Sequence, residues 1–102
     1  MAKSLFGKLL ASYRDDYEIS QSQLVRDLQE EYDYVIHVST VNKYESGERH
    51  PGGDFVAYVS EYFELSETEV SALFQAIQIE GLERLTKQYD DAKSEMAKNK
   101  ER

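Results

Sequence analysis

Apolar residues recur along this chain at helical rather than strand spacing. Leu5, Phe6, Leu9, Leu10 and Tyr13 form one stripe, which predicts a first helix over about residues 4–16. Ser20 precedes a run with Gln23 three residues on, a capping-box pattern, and starts a second helix with Leu24, Val25 and Leu28 inward. Tyr32 and Val35 continue that period, so the end of the helix stays open. A short third helix is predicted over about residues 38–46, closed by Gly47. The stretch from Glu48 to Gly53 holds the single proline, Pro51, and two glycines, and reads as a loop. Asp54 begins a fourth helix with Phe55, Val59, Tyr62 and Phe63 inward and Tyr58 beside them. Ser66 and Glu69 form a second capping box, opening a fifth helix on Val70, Leu73, Phe74 and Ile77.

The last stretch has a different pattern. Leu82, Leu85, Tyr89, Ala92 and Met96 alternate by three and four, a seam of about two heptads. It is open to two uses, dimerisation with a second copy or folding back on the chain's own core. The expected class is all-α. The expected division is residues 1–79 as one domain and 80–102 as a C-terminal helix.

Composition narrows the chemistry. With 102 residues, one domain is expected. The chain has no cysteine, which removes disulfides and thiolate metal sites. No apolar run approaches the length of a membrane span, so no membrane association is expected and a cytoplasmic location is the simple reading. His37 and His50 lie 13 residues apart with no metal-ligand spacing, and no phosphate loop, nucleophile elbow or HExxH is present. No enzyme activity, metal or cofactor is therefore expected.

Net charge is −8, which opposes general affinity for nucleic acid. The acid is unevenly spread. Residues 15–36 carry seven carboxylates against Arg26, and residues 51–80 carry six with no Lys or Arg. Residues 37–50 between them balance Lys43 and Arg49 against Glu45 and Glu48.

Four pieces of sequence, in order, carry a family likeness. They are Arg14 seven residues before Gln21; Ile19-Ser20-Gln21 followed by Leu24, Val25 and Leu28; Thr40-Val41-Asn42-Lys43-Tyr44-Glu45-Ser46-Gly47; and Pro51 before an apolar helix ending in Leu65-Ser66. From about Leu5 to Phe74 the chain resembles the Cro/lambda-repressor-like helix-turn-helix domains, the xenobiotic-response-element regulators. The resemblance implies a five-helix DNA-binding domain with the C-terminal helix added to it. It implies a sequence-specific transcriptional regulator on double-stranded DNA; with so few cations, a homodimer on a palindromic site is expected, which doubles the contacts. Gln21, in the first turn of the second helix, would bond a phosphate. The third helix would be the recognition helix, exposing His37, Val38, Ser39, Asn42 and Lys43, with Val41 and Tyr44 inward. Lys43 suits guanine, Asn42 adenine, Ser39 either partner and Val38 a thymine methyl. Ser46, Arg49 and His50 would meet the backbone. Arg14 and Glu45 would form a structural ion pair between the first and third helices.

Two departures accompany the likeness. About six extra residues, around Gln29 to Tyr34, replace the family's short turn between the second and third helices. They would either lengthen the second helix or bulge outward. The usual small polar cap of the third helix falls at His37, and capping by Ser39 instead would shorten that helix. The acidic faces, the insertion and the tyrosines Tyr32 and Tyr34, taken as exposed, support an alternative: the same fold used as a protein-interaction module without direct DNA binding.

Overall fold

The computed structural model of the chain describes residues 4–77 and 82–100, the side chains of the last two excepted. Among them are six helices and no strand: α1 (Leu5–Asp16), α2 (Gln21–Tyr32), α3 (Val38–Ser46), α4 (Gly53–Tyr62), α5 (Glu67–Ala76) and α6 (Leu82–Lys100). Serines start three of them. Ser4 Oγ accepts from the Gly7 N–H at 2.9 Å, Ser20 Oγ from Gln23 N–H at 3.1 Å, and Ser66 exchanges both bonds with Glu69. The box expected at Ser20 is only half made: Gln23 Oε1 accepts from Arg26 rather than from the Ser20 N–H, while its Nε2 donates to Asp27.

Of the two forms expected for the stretch from Gln29 to Tyr34, the structure takes the longer second helix. α2 runs on to Tyr32, then stops at Asp33 in the left-handed conformation, φ 60°. The Asp33 and Tyr34 N–H groups return to the carbonyls of Gln29 and Leu28, closing the helix end. An aspartate tolerates this conformation better than most residues, which is why a helix can end here without glycine. Residues 34–37, outside any helix, then lead to α3, with His37 extended. His37 is the N-cap of α3 without a side-chain bond, and the helix is not shortened.

α4 is the central element. Phe55, Val56, Ala57, Val59 and Ser60 are all buried, so it is covered nearly all round. Phe6, Leu10, Leu24, Leu28, Val41, Leu73 and Ile77 complete the core around it. Leu5, expected in the inner stripe of α1, is instead 56 % exposed.

What covers the outer flank of α4 is α6, so of the two uses open to the seam residues the chain folds them back on its own core rather than leaving them free for dimerisation. Leu85, Ala92 and Met96 are buried within the chain, and Tyr89 packs edge-on against Phe74. Only Leu82 of the five seam residues is largely exposed. The approach is close: a Cβ on Gly53 would lie 1.9 Å from the Leu85 carbonyl oxygen. The Gly53 N–H donates to Gln88 Oε1 at 3.0 Å, so α6 also caps the start of α4. The seam is occupied by α4 rather than offered to a second copy. The boundary expected at 79/80 lies outside the described residues.

The tyrosines of the insertion are corrected too. Tyr32 and Tyr34 are half-buried rather than exposed. Tyr34 stacks on Tyr58 at 4.4 Å and donates to Asp54 Oδ2 at 3.0 Å. Burial, with the nearby Asp54 carboxylate, holds the Tyr34 hydroxyl well above its ordinary range. Burial raises Tyr32 to about 12, helped by Glu31, Glu61 and Glu64. Tyr62 is raised by burial and by its hydrogen bond to Asp27.

These shifts set an alkaline limit. A raised phenol stabilises the fold fully below its unfolded value of 10.0, and that contribution is lost as pH climbs from there through the folded values. The melting temperature should therefore fall steeply above about pH 10. Tyr34→Phe should make that fall shallower while costing about 1–2 kcal/mol at neutral pH, from the lost bond to Asp54. Melting curves of both proteins from pH 7 to 11 would check this; equal alkaline slopes would refute it.

Candidate nucleic-acid interface

α3 is held by α1 at two points two helical turns apart. The first is backbone on backbone: a Cβ on Gly7 would lie 1.8 Å from the Glu45 carbonyl oxygen. Only glycine permits this approach. The second is an ion pair. Arg14 Nε and Nη2 donate to the two Glu45 carboxylate oxygens at 2.7 and 2.9 Å. The pair is bidentate and nearly sealed from water, with side-chain exposures of 13 % and 3 %. Its hydrogen bond to Glu45 raises the Arg14 guanidinium further. The third donor of Arg14, Nη1, reaches the Ile19 carbonyl at 3.1 Å, tying the α1–α2 turn to the same point.

With Glu45 drawn inward, Val41 and Tyr44 follow. Val41 is fully buried, and Tyr44 meets Phe55 edge-on with ring centres 4.9 Å apart. The opposite side of α3 is therefore turned to solvent. Val38, Ser39 and Asn42 are exposed, Lys43 is half-exposed, and His37 is exposed just before them. Among the described residues, the Ser39, Asn42 and Lys43 side chains make no hydrogen bond or ion pair. The single carboxylate within α3 is the buried one of Glu45.

The end of α3 is shaped by Gly47, at φ 87°. The Gly47 and Arg49 N–H groups both return to the Lys43 carbonyl, at 3.1 and 3.3 Å. Ser46 Oγ donates to the same carbonyl at 3.1 Å and accepts from the Glu48 N–H. Ser46 thus organises the loop internally, a role the sequence did not announce. Arg49 and His50 are exposed beyond it, beside Glu48, and Pro51 is buried. Gln21 lies at the first position of α2, half-exposed, with no hydrogen bond from its side chain among the described residues.

The structure brings Arg14, Glu45 and Gly7 together as a brace and turns Val38, Ser39, Asn42 and Lys43 to one side. Gly7 was missed in the sequence. The signal for it was a glycine inside the apolar stripe of α1, where glycine weakens a helix unless something must come close. Among the described residues, no helix is long and apolar enough to cross a membrane. A scan against protein-family models and searches of curated proteins and of solved structures each found no match to this chain.

Proposed function

We propose that this chain is a sequence-specific DNA-binding regulator that lays α3 in the major groove, on a helix-turn-helix formed by α2 and α3. One observation carries the reading: α3 hides its only carboxylate in a braced ion pair, in a chain of net charge −8. Its outward row is left with hydrogen-bonding, apolar and cationic side chains of the kinds that read base edges.

Lys43 donates to guanine acceptors, Asn42 pairs with adenine, and Ser39 donates or accepts. Gln21 and the N–H groups at the start of α2 take one phosphate, and Arg49 and the loop after Gly47 take another. The carboxylates elsewhere act over roughly 8 Å at physiological salt, so those facing away from the duplex are screened. Few cations means weak binding by one copy, and two copies on a two-fold site double the contacts. The α6 seam is not the contact between them, because it is already buried. The acid balance favours a second reading, in which the same fold docks on a protein partner.

Selection of bound fragments from random DNA with the full chain separates the two. The expected result is a site with two-fold symmetry. Lys43→Ala should relax preference at one position, costing about 1–3 kcal/mol on the preferred base. Gln21→Ala and Arg49→Ala should weaken all sites alike. No enrichment at low salt, with a stable protein complex instead, would overturn the DNA reading.

A further inference from the structure

The segment between α2 and α3 presents an aliphatic side chain that the core does not use. After the left-handed Asp33, residues 34–37 lie outside any helix, and exposure alternates along them, with Tyr34 and Ile36 half-buried and Val35 and His37 exposed. Tyr34 is clamped inward by Tyr58 and Asp54, and Ile36 packs on the core. Val35 between them is 69 % exposed, and Val38, the first residue of α3, is 42 % exposed. A lone exposed valine is ordinary. Here two stand on one anchored stretch, and residues 34–40 hold no acid and no Lys or Arg. Valine has few rotamers to lose, so a contact made by it costs little ordering.

We propose that Val35 reads the C5-methyl group of a pyrimidine, extending base recognition beyond the residues of α3. This rests on α3 being the helix that enters the major groove. The C5-methyl, on thymine or on methylated cytosine, is the apolar group displayed on that groove's floor. An aliphatic side chain offers nothing to the neighbouring amino and carbonyl groups, and set against them would leave them unpaired. Three residues of extended chain span at most about 10 Å, and base pairs rise about 3.4 Å, so Val35 reaches a base within about three steps of the one under Val38.

The test uses the full chain and the duplex it selects from random DNA. Affinity is measured by fluorescence anisotropy at fixed salt, with each thymine replaced in turn by uracil. One replacement, outside the positions sensitive to Asn42→Ala and Lys43→Ala, should weaken wild-type binding about fourfold, the effect of losing one buried methyl. Val35→Ala, a surface change that leaves the core intact, should bind thymine and uracil at that position equally. Placing 5-methylcytosine opposite guanine there should be preferred over cytosine by the wild type and not by the variant. If Val35→Ala keeps the wild-type response to every uracil, the inference fails and the DNA reading stands. If Val35→Ala instead abolishes self-association in sedimentation and leaves base preference intact, Val35 is a contact between copies and the inference is overturned. If no duplex is selected at all, the DNA reading itself has failed and takes the inference with it.

Discussion

Gly7→Ala is expected to destabilise the fold by about 4 kcal/mol or more, although alanine is the better helix former by about 1 kcal/mol. The two effects have opposite signs, and the magnitudes decide between them. A Cβ at this position meets the Glu45 carbonyl oxygen at 1.8 Å, its carbon at 2.5 Å and its Cα at 2.8 Å. All three are backbone atoms of α3, so no rotamer change relieves the clash. α1 must move off α3, and the Arg14–Glu45 pair must stretch with it. The drop in melting temperature should be roughly 15–30 °C. Lys8→Ala, on the exposed side of the same turn, should stay within about 0.5 kcal/mol of the parent. A Gly7→Ala protein melting at or above the parent temperature would mean the two helices are not in backbone contact.

Arg14→Ala should cost about 3–5 kcal/mol, because it strands the Glu45 carboxylate at 3 % exposure with no counter-charge. The Ile19 carbonyl loses a donor in the same step. Replacing both partners is a different experiment. Arg14→Met with Glu45→Leu keeps the volume and removes both charges, and should be close to neutral or mildly stabilising. If so, the pair serves placement more than stability. Urea denaturation of the single and double variants gives the coupling between them directly. A single variant as stable as the parent would remove the ion pair from the list of things that hold α3.

Much of this arrangement was legible in the chain itself. The serine caps and the apolar periods located the helices, because those signals are local. Glu45 was legible only through resemblance, as the residue opposite Arg14. Three features were not legible in this way, one for want of a glycine and two because they are not local. The stop at Asp33 depends on an aspartate accepting a conformation usually left to glycine. The heptad spacing of α6 says that one face is buried but not against what. Its partner is the small-residue side of α4, Gly53 and Ala57, which composition alone does not tie to residues thirty positions later. The burial of Tyr34 depends on Asp54 and Tyr58, both supplied by a helix that follows in sequence.

The contact between Gly53 and Leu85 also bears on how the chain acquires its shape during synthesis. A polypeptide leaves the ribosome from its front end, and α4 emerges well before its cover. Until residues 85–96 have been made, one flank of the central helix faces water. The nascent chain therefore carries a Gly53 N–H without its Gln88 acceptor and a bare flank around Ala57, and completes its packing only when α6 swings in.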